Sequence, residues 1–510
     1  MNGEIHWTAW IVFAFFFALV TVLGFVASRW KAGDLTQLHE WGLGGRRFGS
    51  WITWFLLGGD LYTAYTVVAV PALVFAIGAY GFFALPYTII LYPVMYTIMP
   101  RLWNVCRRHH YVTTADFVMG RHGDPWLALA VALTGVLATM PYIALQLVGM
   151  QVVFEGMGFG GLKQGAEIAL IVSFVILALY TYSSGLRAPA IIAFVKDTMV
   201  YIFVIAAIIV IPAQLGGYGA IFQAADDFFK AKPAGSPPSG IILQPAQVIA
   251  FSTLALGSAF ALFLYPHSAT GALAAASPNV LRRNAVFLPA YSTALGLIAM
   301  LGFMAIAAKV TAQGTAVVPA LIMQSFPEWF AGFCCAAIAL GALVPAAIMS
   351  IGAANLVTRN IWRPFVNRNM TPAQESNVAK ITSLVVKFGA LVFVVFLPLD
   401  FAINLQLLGG IWILQIFPAV VIGLYTRWFH PRALLGGWIV GMLLGSWLSW
   451  SQGPKPVPVY DLFGLGKIYI GLIALGANII VATAITFALG QPVHADETRD
   501  SDYEDAPGTA

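Results

Sequence analysis

Hydrophobic positions along the chain come in long unbroken runs. Short stretches rich in glycine, proline, arginine and lysine separate them. A run of about 20 apolar residues crosses a bilayer as a helix, at ~1.5 Å per residue. Thirteen such runs are predicted here and called spans 1 to 13: residues 7–28, 51–77, 82–100, 126–150, 166–182, 188–211, 246–265, 285–308, 330–356, 381–397, 403–425, 434–450 and 468–489. Several are interrupted by glycine or proline, spans 2 and 7 among them. Span 2 reads LLGGDLYTAYTVVAVPALVFAIG, with Gly58, Gly59 and Pro71, and span 7 reads FSTLALGSAFALFLYP. Broken helices release backbone carbonyls and helix ends near the midplane, where ions and small substrates bind. The interruption recurs five spans later, which fits two inverted five-helix repeats. The expected layout is an N-terminal helix and loop (1–50), a first repeat (51–211), a second repeat (246–426), two accessory helices (433–490) and a disordered acidic cytoplasmic tail (491–510).

Composition agrees with the pattern. The 510 residues are 60% hydrophobic and 9% charged, where a soluble domain carries about 25% charge. The fold class is therefore an all-α polytopic membrane protein with about 13 transmembrane helices and the lipid bilayer as its surroundings. No polar stretch is long enough for an enzyme domain, and no catalytic residue, metal cluster or cofactor site stands out. The excess of basic residues lies scattered over short loops, so nucleic acid is not an expected partner. Cys106, Cys334 and Cys335 are too few and too scattered for a disulfide framework. Loops of one parity hold most of the arginines, among them Arg46, Arg47, Arg107, Arg108, Arg187, Arg282, Arg283, Arg359 and Arg427. Basic loops stay in the cytoplasm, which predicts a bacterial inner membrane protein with its N-terminus outside and its C-terminus inside.

Charges inside the spans are costly and mark function. Lys196 lies within span 6, about 13 Å beyond Arg187 along a helix. A charge at that depth costs at least ~2.5 kcal/mol. Its stem is too short to snorkel fully to the surface, so an interior ion- or proton-linked role is expected. Asp60 is the one acid of span 2 and is expected at a binding site. Tyr62, Thr63 and Thr66 bring hydroxyls near the same break and are expected to touch substrate, although membrane threonines often bond their own backbone. Tyr142 and Gln146 stand one turn apart on one side of span 4. His267, after Pro266, is expected at a cytoplasmic helix end as a capping or gating residue. Arg359 closes span 9 and is expected to be structural or gating. Lys387, in span 10, is expected to snorkel.

Four stretches carry a resemblance. Residues 42–49 (GLGGRRFG) resemble the GGR signature of the sodium/solute symporter family. Residues 180–188 (YTYSSGLRA) are similar to its YTxxGGLRA, with Ser184 in place of the first glycine. Residues 266–277 (PHSATGALAAAS) match its PHxxxxxxAAxS spacing, with Leu264–Tyr265 replacing the usual GQ. Residues 358–362 (TRNIW) resemble its TxDIY. The resemblance implies a leucine-transporter-like inverted-repeat core built from spans 2–11. GLRAPAIIAFVKD and LVPAAIMSIGAANLVTRNIWRPF are most similar to the bacterial monocarboxylate permease branch. That branch implies small acids such as lactate and pyruvate, and alanine, as substrates, with Tyr142 and Gln146 lining their cavity.

In sodium-coupled members a serine/threonine pair on span 9 holds the ion together with span 2 carbonyls. Here Val344 and Pro345 stand at the pair and offer no side-chain oxygen, while Gly59 and Tyr62 stand at the carbonyl positions. The family's span 6 aspartate is matched by Asp197, one turn late, beside Lys196. In distant proton-coupled relatives of the fold a lysine takes the ion's place. The resemblance therefore implies that Lys196 donates to the Gly59 and Tyr62 carbonyls, with Asp60 as counter-charge and H+, alternatively Na+, as coupling ion. A sodium-coupled symporter for another organic acid or an amino acid is the second reading. A membrane sensor is the third, and the short acidic tail carries no signalling domain for it.

Overall fold

Apolar side chains tolerate lipid, but the peptide groups between them need hydrogen bonds that lipid cannot supply, so each run closes its own as a helix. The computed structural model describes residues 5–30, 33–159, 165–396, 407–453, 455–464, 466–490 and 496–505. Eleven of the described helices are long and apolar enough to cross a membrane. The two other expected spans are helical as well. Span 10 falls in the helix Pro372–Phe396, and span 2 comes as two pieces, Ser50–Gly59 and 65–77. Residues 397–406, where spans 10 and 11 were expected to end and begin, lie outside the described residues. A two-stranded antiparallel hairpin, Val459–Asp461 with Lys467–Tyr469, precedes span 13.

Span 9, the helix Glu328–Leu356, is the axis of the bundle. It packs against spans 1, 4, 6 and 10. Its sequence explains the closeness. Glycines and alanines let backbones approach where lipid offers no hydrophobic drive between helices. At Gly352 a Cβ would lie 2.8 Å from the Pro266 carbonyl, so that approach excludes a larger residue.

Span 7 is interrupted as expected, but near its predicted end. The helix Val248–Leu262 ends, three residues turn, and a second helix runs over Pro266–Leu273. Pro266 had the look of an end, but proline is well placed in a helix's first turn, where its missing N–H is not needed. The span is therefore interrupted inside the protein rather than finished at Tyr265.

The acidic tail also departs from expectation. Residues 496–505 are packed against the arginine-rich end of the bundle. Asp496 pairs with Arg121 (3.1 Å) and Arg427 (2.7 Å), Asp502 with His109 (2.8 Å), and Asp505 with Arg282 (2.7 Å). Tyr503 is buried, with the guanidinium groups of Arg101 and Arg121 over its ring at 4.8 and 5.3 Å. The hydrogen bond from Arg282 holds the Asp505 carboxyl below the ordinary carboxylate value. A run of acids lacks the apolar residues for a core of its own, which is why it resembles a disordered tail. It is ordered here by basic groups from helix ends far apart in sequence.

Candidate coupling and substrate site

Span 2 breaks after Gly59. The helix Ser50–Gly59 stops, residues 60–64 turn, and a π-helical segment Tyr65–Ala69 leads into Val70–Ile77. Such a break leaves backbone groups without helical partners, and neighbouring side chains take several of them. The Gln146 Oε1 accepts from Ala64 N at 2.9 Å. The Thr63 Oγ1 accepts from Tyr65 N at 3.1 Å, and the Thr66 hydroxyl donates to Leu61 O. These three were expected to touch substrate. In this conformation they repair the break. The Tyr62 hydroxyl donates to Tyr291 O at 3.3 Å.

Two carbonyls of the break remain for a cation. The Lys196 ammonium donates to Gly59 O at 2.6 Å and to Tyr62 O at 3.2 Å. Its third neighbour is Asp197 Oδ1 at 2.9 Å, an ion pair lying off the hydrogen-bond direction. The other Asp197 oxygen, Oδ2, accepts from the Tyr291 hydroxyl at 2.8 Å. Lys196 and Asp197 are both fully buried on the helix Arg187–Gln214. Glycine at 59 makes the approach possible. A Cβ there would lie 3.1 Å from both the ammonium nitrogen and Asp197 Oδ2, tighter than ordinary contact.

Span 9 passes this site without offering an oxygen-bearing side chain. Val344 and Pro345 are buried in its helix, and Gly341 faces the Tyr62 carbonyl, where a Cβ would lie 3.6 Å away. Pro345 has no N–H, so the carbonyl one turn before it loses its helical donor.

Asp60 is not the counter-charge of Lys196. It sits across the break and turns toward span 7, where its Oδ2 accepts from the Ser268 hydroxyl at 2.9 Å and lies 3.6 Å from His267 Nε2. Adjacent residues on a helix point apart, yet the charged atoms of Lys196 and Asp197 meet at 2.9 Å. Lys196 reaches the carbonyls of the span 2 break and Asp197 the Tyr291 hydroxyl. His267 is not at a cytoplasmic helix end. It is fully buried at the start of Pro266–Leu273, its ring against those of Tyr142 and Tyr265. Lys387 does not snorkel: it too is fully buried, bonded to Ser383. Arg359 bridges Asp116 (3.3 Å) and Glu375 (3.0 Å) at the arginine-rich end, far in sequence from the break.

A small cavity of about 40 Å³ opens beside the two broken helices, lined by Tyr65, Tyr87, Tyr142, Tyr265 and Tyr469 among others. Of the residues expected to touch substrate, Tyr142 lines it. The other four phenols were missed. They come from spans 2 and 3, the break of span 7 and the hairpin before span 13, and tyrosine in an apolar run has no spacing that marks it. A second cavity of about 20 Å³ holds Asp60 and Ser268 on its wall with Tyr92.

Comparison with known proteins places this architecture. Residues 41–445 match the model of the sodium:solute symporter family. A monocarboxylate transport permease protein of Rhizobium johnstonii is 56% identical over 492 residues, covering 96% of this chain and 98% of the relative. The uncharacterized symporter YodF of Bacillus subtilis is 34% identical over 490 residues, covering 95% and 94%. Among solved structures, a Na+-coupled sialic acid symporter in a substrate-bound outward-open state superposes with a TM-score of 0.76 at 16% identity, over 95% of this chain and 98% of that one. A nucleobase-cation-symport-1 family transporter, closed around bromovinylhydantoin, gives 0.51 at 14% identity, over 88% and 96%. The fold is therefore the leucine-transporter-like one, and the chain is a transporter rather than an enzyme. It belongs to the sodium:solute symporter family.

Proposed function

We propose that this protein imports small monocarboxylates such as lactate and pyruvate, and alanine, coupled to protons through Lys196. The observation that carries the reading is the Lys196 ammonium on the Gly59 and Tyr62 carbonyls, with no hydroxyl on span 9 beside it. A sodium ion wants several oxygen ligands, by the logic of other hard cations, and an ammonium supplies the same positive charge to the same carbonyls. Unlike sodium, it leaves by losing a proton. Protonated, Lys196 ties span 6 to the break of span 2. Deprotonated, it releases the break, so proton binding biases one conformation over another. The substrate class is supported by the name of the Rhizobium relative. The tyrosine-lined cavity beside the break is the proposed substrate site, in a protein of the bacterial cytoplasmic membrane with its arginine-rich end inside.

Proteoliposomes test this directly. Labelled lactate or pyruvate is expected to accumulate on an inward proton gradient without sodium, with unlabelled short monocarboxylates competing. Competition by sugars, dicarboxylates or proline alone overturns the substrate class. A strict sodium requirement overturns the coupling and favours the second reading, a sodium-coupled symporter of the same fold. That reading draws on the sodium/proline symporters of Staphylococcus aureus, 22% identical over 531 residues, and on the sialic acid symporter.

A further inference from the structure

We propose that Lys387 is a second proton-binding site, a buried amine that is uncharged in this conformation and takes up a proton only when the conformation changes. It stands on Pro372–Phe396 with none of its surface exposed. Its nitrogen donates to the Ser383 Oγ at 2.7 Å. The Ser383 hydroxyl donates in turn to the Ser350 Oγ at 3.2 Å, and the Ser350 hydroxyl to Ala347 O at 2.8 Å. The chain of hydroxyls runs one way. Each proton is already given onward, so the Ser383 oxygen is left to accept. An ammonium brings three donors and a full charge to that single acceptor, while a neutral amine brings two donors and no charge. Among the described residues no carboxylate makes an ion pair with Lys387.

Among the described residues, the helices around it supply no counter-charge. Its helix packs on spans 9, 4 and 5, on the short helix Leu38–Leu43 and on the π-helical turn Val357–Trp362. The carboxylates on these elements are Glu328 on span 9, Glu155 on the span 4 helix Pro125–Gly156, the exposed Glu167 on the span 5 helix Gly165–Ser184, and Glu40 on the short helix. Glu328 bonds His6 and Glu155 bonds Gln151. Glu40 is held by Arg47 and Arg187, and Arg359 by Asp116 and Glu375. Glu375 and Lys380, on its own helix, lie toward the arginine-rich end. The thiols of Cys334 and Cys335 and the phenols of Tyr142 and Tyr180 are neutral groups. A buried cation without a partner is the costliest arrangement a lysine can take, and such groups neutralise instead. Any conformation that admits water or a carboxylate to this nitrogen binds a proton that this conformation does not. Proton activity then biases the equilibrium between the two. For transport this consequence rests on the function proposed above; the charge state itself does not.

The test is thermal unfolding of the purified full-length protein and of Lys387→Met between pH 6 and pH 10. The wild type must discharge Lys387 to fold and recharge it on unfolding, so its unfolded state binds the extra proton. Its stability relative to Lys387→Met then rises with pH, by up to tenfold in the folding constant per pH unit, and levels off near the usual lysine value of 10.5. The methionine variant is expected to melt higher at pH 6, with the gap closing toward pH 10. A gap that does not change with pH overturns the proposal. Lys387→Gln, which keeps a hydrogen bond to Ser383, serves the same comparison if Lys387→Met does not express. The second readout is exchange of the acid identified by the uptake panel, at equal pH on both sides. Lys387→Met is expected to exchange with a flatter pH profile. An unchanged profile beside a pH-dependent melting gap removes the proton site from the transport cycle. A sodium requirement in the uptake panel leaves the melting result standing, so the two proposals fail separately.

Discussion

Lys196 and Lys387 carry the same group, are both wholly buried, and stand on helices that pack against the same axis, span 9. Their surroundings differ in every respect that matters to a charge. Lys196 has two carbonyls and a carboxylate for its three protons. Lys387 has, among the described residues, one serine oxygen. Burial alone therefore says little about whether a lysine is charged. A broken helix next door turns a liability into a held cation, because it exposes carbonyls that an intact helix uses internally. Span 9 and span 10 are unbroken where Lys387 lies, and only side chains are left to meet it.

The largest expected effect separates the two lysines by function. Lys196→Met is expected to bring proton-driven accumulation to background while the protein stays folded and monodisperse. Lys196→Arg is expected to fail as well, since guanidinium holds its proton at every working pH. Lys387→Met is expected to keep exchanging substrate. If Lys196→Met still concentrates substrate on a proton gradient, the contrast between the lysines collapses.

The second effect is on stability. Asp197→Asn leaves the Lys196 cation without its carboxylate and is expected to cost ~3 kcal/mol or more, read as a lowered melting temperature. Asp60→Asn, on the far side of the break, is expected to cost clearly less. Replacing Lys196 and Asp197 together by methionine and leucine is expected to recover much of the loss, as buried pairs do when exchanged for apolar residues. Equal losses for Asp197→Asn and Asp60→Asn refute the pairing.

A smaller effect probes the geometry. Gly59→Ala sets a methyl 3.1 Å from the ammonium and from Asp197 Oδ2. It is expected to lower proton-driven uptake about tenfold, ~1.4 kcal/mol, with little change in folding, since residue 59 is helical.

The smallest effect belongs to the tail. Apart from Arg121–Asp496, which is buried, its pairs are partly exposed and weakened by salt. Deleting residues 496–510 is expected to lower the melting temperature slightly, and by less in high salt. The hydrogen bonds from Arg282 and Arg427 hold Asp505 and Asp500 below the usual carboxylate value of 3.8. A depressed acid contributes above its unfolded value and loses the contribution as pH falls through the folded one. These two pairs are therefore expected to persist from pH 8 down to pH 5 and to weaken only below 3.8, as limited proteolysis of the tail reports.

The spans were legible because lipid imposes one rule on every helix: enough apolar residues in a row and no unmet peptide group. The break of span 2 announced itself in Gly58, Gly59 and Asp60, and Lys196 stood out because a charge in an apolar run is rare. The resemblance to symporters named Gly59 and Tyr62 as the carbonyls, and the ammonium lies on both. Three things were not legible. Asp197 is the partner of Lys196 because the span 2 carbonyls draw the ammonium and Tyr291 holds the carboxylate, so that the two meet at 2.9 Å. His267 is interior because Pro266 starts a helix that resembled an ending. The tail is ordered because Arg101, Arg121, Arg282 and Arg427 meet at one end of the bundle. Local sequence determines where a helix forms and which charge is out of place, since both depend on near neighbours and on lipid. Which charge meets which depends on how helices distant in sequence are set side by side, and only the packed structure decides that.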